Sequence, residues 1–429
     1  MHERHPVTLV VRDDLRRSRL TVFFRLLLFI PHAIWLTLWS IAVIVGAVAG
    51  WIAALALGRL PGSLHRFFSA YIRYTVHLAA YLTLAANPYP EFTGSVVSYP
   101  VDVELPGPVA QSRWRILFRL VLAIPATMIS VSLGGWIPGG YASTSTKGTS
   151  TGVNGNASGL GFAAALLGWF ASVFTGRMPR GLRDAGAYSA GYRAQVLAYL
   201  LLVTPRYPDA DPTELLDELD RPPLHPVRIV GDSTDLRRSR VTVLFRLPLA
   251  IPHVVWLGLW TVLAVPTVVI QWLVTLVIGR PIRKLHAFLA RYVRYSFVVY
   301  AFLFLVANPF PGFTGKAGQY PLDLVLPPPG RQKRLKTAFR GLLAIPAWIF
   351  GGALGSVLTV AAILSWFASL AKGSAPEGLR NLSAYAVRYG GQVNAYVFLI
   401  TDAYPHASPL EGADPVVEPT AEAAEPLAA

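Results

Sequence analysis

The sequence predicts a mainly α-helical integral membrane protein of four pseudo-repeats. Each repeat is read as a short strand, a helical membrane hairpin and an amphipathic interfacial helix, with the strands gathered into a small cytoplasmic β-sheet. Three observations predict this. Of 429 residues, 53% are hydrophobic and 14% charged, against roughly 25% charged in soluble domains. Leu26 to Leu57, Leu247 to Ile278 and Gly341 to Ala371 carry no charge, and each exceeds the roughly 20 residues that cross a bilayer once. The stretch FRLLLFIPH at 24 returns as FRLVLAIPA at 118, FRLPLAIPH at 245 and FRGLLAIPA at 339. It sets Arg25, Arg119, Arg246 and Arg340 six residues before Pro31, Pro125, Pro252 and Pro346.

The elements follow in one order in every quarter. An alternating strand comes first: VTLVV, VDVEL, VRIV or LDLVL. An Arg-rich lead-in ending in Phe-Arg and the uncharged run come next. The run ends in a glycine turn, GRLPG at 58, GRMPRG at 176, GRPIR at 279 and GSAPEG at 373, then an amphipathic segment and an exit, NPYP, PRYP, NPFP or DAYP. Quarters one and three share IPH, and quarters two and four share IPA, so the chain is a duplicated pair. The boundaries are 1–208 for the first half (repeats 7–98 and 99–208), 209–225 for an acidic linker, 226–405 for the second half (repeats 226–319 and 320–405) and 406–429 for a disordered acidic tail. The first twenty residues lack the apolar core and small-residue cleavage site of a signal peptide, so the amino terminus is expected to stay in the cytoplasm.

The hairpin reading rests on register. Pro31 to Trp51, Pro252 to Trp272 and Pro346 to Trp366 are twenty residues apart, whereas Pro125 to Trp169 is forty-four. The extra material in quarter two, GGYASTSTKGTSTGVNGNASG, is polar and cannot sit in hydrocarbon, where each unsatisfied backbone group costs several kcal/mol. It enters mid-run, so by the repeat each run is expected to turn at its middle. Both ends of each run are basic, which an even number of crossings explains by returning both to the cytoplasmic side. The third segment carries too many charges to cross (Arg180, Arg183, Asp184 and Arg193 in quarter two) and is expected to lie along the interface or pack on the hairpins.

Charge points to the partner. The net +15 rises to +26 once the six carboxylates of 209–220 and the five of the tail are set aside, which suits anionic phospholipid and, in a chain this apolar, not nucleic acid. Arg25, Arg119, Arg246 and Arg340 therefore have two readings: anchors that snorkel to headgroups, or an anionic-lipid site in which the guanidinium fork grips phosphate. Arg73, Arg294 and Arg388, fifteen residues after the turn glycines, join that candidate set. The tyrosines beside them, Tyr74, Tyr192, Tyr295 and Tyr389, suit an interfacial aromatic belt at least as well as a binding pocket. His32 and His65 lack a third ligand, so no metal is expected, and no cofactor is either. There is no cysteine, no paired-carboxylate site and no P-loop, and the chain is read as non-enzymatic.

At R-L-x-x-F-F-R-L-L-L-x-I-P, G-R-x-P and the Tyr-Pro exit the chain resembles the bacterial membrane family catalogued as domain of unknown function 4389, in repeated copies. The resemblance implies a multi-pass protein of the bacterial plasma membrane and carries no catalytic residues. The expected role is binding anionic lipid or scaffolding a cytoplasmic protein partner, with both termini cytoplasmic. A transporter or channel of parallel repeats is the alternative.

Overall fold

The computed structural model describes residues 4–96, 99–134, 159–216, 219, 221–231 and 235–412. The first quarter comprises β1 (Thr8–Val11), α1 (Arg19–Phe23), α2 (Arg25–Leu57) and α3 (Gly62–Leu82). The second comprises β2 (Val101–Glu104), α4 (Arg113–Leu117), α5 (Arg119–Gly134), α6 (Leu160–Thr175) and α7 (Arg180–Leu200), followed in the linker by α8 (Pro212–Leu215). The third has β3 (Arg228–Gly231), α9 (Arg240–Leu244), α10 (Arg246–Ile278) and α11 (Arg283–Leu303), and the fourth β4 (Leu322–Val325), α12 (Arg334–Ala338), α13 (Arg340–Lys372) and α14 (Glu377–Val397).

The hairpin expectation is corrected. The uncharged runs of quarters one, three and four are single helices of 33 residues, long and apolar enough to cross a membrane. Nothing between Ile41 and Gly58 interrupts the helical hydrogen-bond ladder of α2. That helix stops only at Gly58, whose φ of 70° closes the last turn on Ala54 O, a conformation that costs other residues about 1–2 kcal/mol. Pro31, Pro252 and Pro346 lie inside their helices. Only in quarter two does a break occur, where α5 and α6, 16 residues each, flank the inserted loop. The loop itself, like most of the acidic tail, lies outside the described residues.

Of the two expectations for the third segments, packing on the uncharged runs holds and lying along the interface does not: they form the inner layer of the fold, with α3 packed on α7 and α11 on α14. Each inner helix is backed by the outer helix of its own quarter, α2 on α3, α5 and α6 on α7, α10 on α11 and α13 on α14. Strands form two antiparallel two-stranded sheets, β1–β2 and β3–β4, rather than one. The first lies over the middles of the inner helices. Asp102 of β2 pairs with Arg73 and His77 of α3, and Gln195 of α7 donates to Val7 O beside β1. The outer layer meets a different face of α3, through Phe68 against Gly46 and Gly50 and through Tyr71 and Tyr74 bonded to Ser40 and His32.

Two quarters pair reciprocally. Gln111 N donates to Gly58 O at the end of α2, and Arg17 N donates to Gly176 O at the end of α6. Trp51 Nε1 donates to Ile116 O, and Trp169 Nε1 to Val22 O. The second half repeats this, with Gln332 N to Gly279 O, Arg238 N to Gly373 O, Trp272 to Thr337 O and Trp366 to Val243 O. Contacts that map onto each other under exchange define a local two-fold, and Leu9 opposite Val103 in the first sheet lies on it. The two outer helices of a half therefore run antiparallel, each C-terminus beside the other's lead-in. The halves dock through quarters two and four, where α13 packs on α5 and α6.

Candidate functional site: arginines at the helix junctions

The inner helices end in a repeated reversal. Leu84, Leu202, Leu305 and Leu399 adopt left-handed backbone, with φ between 56° and 63°. The reversal turns the last helical carbonyl and one a few residues later toward a single point. At that point sits the Phe-Arg arginine. Arg119 Nη1 donates to Tyr199 O at 2.6 Å and Thr204 O at 3.2 Å, and Nη2 to Gln111 Oε1 at 2.7 Å. Arg25 donates to Tyr81 O and, at 3.3 Å, to Ala86 O. Arg246 bonds Phe302 O at 2.7 Å and Ala307 O at 3.4 Å, and Arg340 bonds Tyr396 O, Thr401 O at 3.0 Å, Gln332 Oε1 at 3.0 Å and Asp402. Each guanidinium also lies 4.2–4.6 Å from the ring centre of Tyr81, Tyr199, Phe302 or Tyr396. These cations complete helix C-termini, where carbonyls lack partners and the dipole favours positive charge.

The four are 1–3% exposed and each engages its own quarter, so the structure does not bring them together. The other predicted site arginines are likewise engaged. Arg73 Nε is 3.3 Å from Asp102, Arg294 Nε is 2.9 Å from Asp323, and Arg388 donates to the carbonyls of Ser408, Pro409 and Leu410 and lies 3.5 Å from Glu411. Tyr74, Tyr192, Tyr295 and Tyr389 are buried core residues, not an aromatic belt. His32 bonds Tyr74 at 2.8 Å and stacks on Phe92, and among the described residues no group of three ligating side chains could hold a metal.

Sequence reasoning missed the residue eight before each buried arginine, Arg17, Gln111, Arg238 and Gln332, which bonds the leucine carbonyl of the same reversal. Gln111 Nε2 and Gln332 Nε2 donate to Leu202 O and Leu399 O at 2.7 Å, and Arg17 Nε to Leu84 O at 3.1 Å. A fixed Arg/Gln-x7-Arg spacing carries that signal. Also passed over was Gly148-Thr149-Ser150-Thr151-Gly152, a GxSxG spacing. It lies outside the described residues in a Gly/Ser/Thr-rich stretch, without the strand and helix sequences such a serine requires on either side.

Exposed cations cluster elsewhere, at the four junctions where one quarter's outer helix ends beside another's lead-in. Arg16 pairs with Arg177 through the backbone and Arg19 lies against Gly176, while Arg113 reaches the end of α2 just before the exposed Arg59, with Arg115 exposed in the same lead-in. Arg237 and Arg240 meet Lys372, and Lys333, Arg334 and Lys336 meet Arg280. Arg113 Nη2 and Arg240 Nη2 reach the terminal carbonyls of the neighbouring helix, Ala56 O at 3.1 Å and Ala371 O at 3.2 Å, leaving each guanidinium otherwise outward. Leu20, Phe23, Trp114, Phe118, Leu57 and Phe174, all exposed, flank these cations in the sequence.

One family model matches the chain four times, over residues 19–94, 153–210, 240–314 and 334–408, and its description is Domain of unknown function (DUF4389). The second match begins at 153 because the inserted loop separates α4 and α5 from the rest of their quarter. No curated protein and no solved structure matches the chain.

Proposed function

Because the chain belongs to the DUF4389 family, in four copies, we propose that it is a non-enzymatic membrane protein that gathers anionic lipid at its four basic junctions. The observation that supports this is the alternation of surfaces along each outer helix. The outward faces of α2 and α10 are apolar, with Ile44 65% and Leu259 58% exposed, which is far more contiguous apolar surface than a soluble monomer shows. Those faces end in clusters of three or four cations belonging to two quarters. Acyl chains fit the first feature and phosphate headgroups the second. The setting that fits both is a bacterial plasma membrane, and the polar layer of sheets and linker is left to face a soluble partner. A solute path on the axis of a half finds that axis filled, by Leu9 and Val103, each at most 3% exposed.

The test replaces Arg19, Arg113, Arg240 and Arg334 with Gln and counts phosphatidylglycerol retained by the purified protein in native mass spectrometry. One cation near an anionic headgroup contributes about 1 kcal/mol, so affinity at each junction falls about fivefold, with the melting temperature unchanged. Undiminished retention refutes the site.

A further inference from the structure

Resting on that membrane reading, we infer that the outer helices lie in the plane of a single leaflet, apolar faces among its acyl chains and junction arginines among its headgroups, instead of crossing the bilayer. Four observations converge. A 33-residue helix is about 50 Å long, so an upright crossing overshoots a hydrocarbon core about 30 Å thick by about 20 Å in all, about 10 Å at each basic end.

The polar layer is level with the middles of the outer helices, not their ends. Asp102 with Arg73, and Asp323 with Arg294, sit at mid-length of α3 and α11, and Arg291 in the middle stretch of α11 is exposed. Upright helices would place all of these at mid-bilayer, where a charged side chain costs about 3 kcal/mol or more.

The polar insertion leaves quarter two between Gly134 and Leu160, halfway along the α5–α6 pair. An upright pair would release it in the centre of the hydrocarbon, whereas a flat pair releases it at the interface.

The local two-fold relates antiparallel outer helices and passes through the sheet, so it is perpendicular to the helices. Along that axis the order is sheet, inner helices, outer helices. Only with the axis normal to the membrane do all four basic junctions reach one headgroup plane while the apolar layer alone enters lipid, the geometry of an interfacial protein.

The chain has no cysteine, so single cysteines report without background. Leu27→Cys, Ile41→Cys and Ile52→Cys, each at an exposed apolar position on one face of α2, are spin-labelled on the full chain in phosphatidylglycerol/phosphatidylcholine vesicles and their depths measured. A flat helix gives the three labels the same depth. An upright one sets Ile41 at the bilayer centre and separates it in depth from Leu27 and Ile52 by about 20 Å, which overturns the inference. Labels that all report water, on protein that does not float with the vesicles, instead overturn the membrane reading beneath it. Ser18→Cys and Ser63→Cys, at opposite ends of α2, give a readout without a bulky label in lipid. An impermeant maleimide modifies both equally in vesicles of one orientation if the helix is flat, and only one of them if it crosses.

Discussion

Replacing Arg119 with Gln separates a structural cap from a lipid-binding group. The substitution leaves Tyr199 O and Thr204 O without their shared donor, strands Gln111 Oε1 and removes a guanidinium 4.3 Å from the Tyr199 ring. A buried acceptor left unsatisfied costs about 1–3 kcal/mol, and the cation–ring contact about 1–2 kcal/mol. Set against this is relief from keeping a buried cation out of water, which offsets part of the loss. The balance is a destabilisation of about 4 kcal/mol. At about 2 °C per kcal/mol for a large domain, the melting temperature in detergent falls by about 8 °C, read by intrinsic fluorescence. Arg25→Gln and Arg246→Gln give falls of the same sign, because the same two-carbonyl arrangement recurs. The exposed Arg113→Gln shifts it by less than about 1 °C, as surface changes do. An Arg119→Gln protein that melts with wild type but loses bound anionic lipid refutes the cap and restores the arginine to the lipid site.

Two further outcomes test other parts of the fold. Burial pushes the imidazoles of His5 and His406 down to about 4, and the Nδ1 of each accepts from a backbone N–H, of Val7 and Ser408. The unfolded chain binds these protons near pH 6.5, so their contribution to stability is complete above pH 6.5 and is lost as pH falls toward 4. Melting temperature should decline across that window, and less steeply in the His5→Gln/His406→Gln protein; identical slopes refute the assignment. At the interface between halves, a Cβ on Gly181 would lie 2.7 Å from Ser408 N, and one on Gly378 2.9 Å from Asp211 N. Gly181→Ala and Gly378→Ala should each cost about 1–3 kcal/mol and speed proteolysis within 209–225, and unchanged cleavage would show that the halves do not dock there.

Much of the organisation is legible in the sequence, because the repeat is written in residues whose roles cannot be exchanged. The turn glycines mark the left-handed helix ends, the strand alternation marks β1 to β4, and the arginine six residues before proline marks a cap that only a long, forked donor can make. Helix continuity was not legible. A polar insertion in one quarter suggested a turn in all four, yet an insertion breaks the hydrogen-bond ladder only where it stands, and the other runs have no competing turn signal. Basic residues at both ends of a run seemed to require both ends on one side through a fold-back. Reciprocal docking of antiparallel helices satisfies the same pattern, and it depends on contacts across 57 to 147 residues that periodicity cannot encode. The candidate site shifted for a related reason: spacing marks Arg25, Arg119, Arg246 and Arg340 as one repeated set but not that each finds its partners in the backbone of its own quarter.

The same contacts determine the smallest unit that can fold. Taken alone, quarter one would leave Gly58 O, Trp51 Nε1 and the β1 strand edge without the partners that quarter two supplies, and quarter two would in turn lack Val22 O for Trp169 and Leu15 O for Met178 N. Each unmet group costs about 1–3 kcal/mol where it is buried, and several per quarter exhaust the few kcal/mol by which a domain is stable. A pair of quarters closes every one of these contacts internally. The docking of halves is of a different kind, since it adds the α13 contact with α5 and α6 and the packing of Gly181 and Gly378 against opposite backbones without closing any strand or outer-helix end. Duplication of an already complete pair accounts for both facts. It also explains why the residues that alternate between quarters, Arg17 and Arg238 against Gln111 and Gln332, alternate in step with the pairs: within a pair the two sides of one two-fold have diverged, and the second pair inherited that divergence.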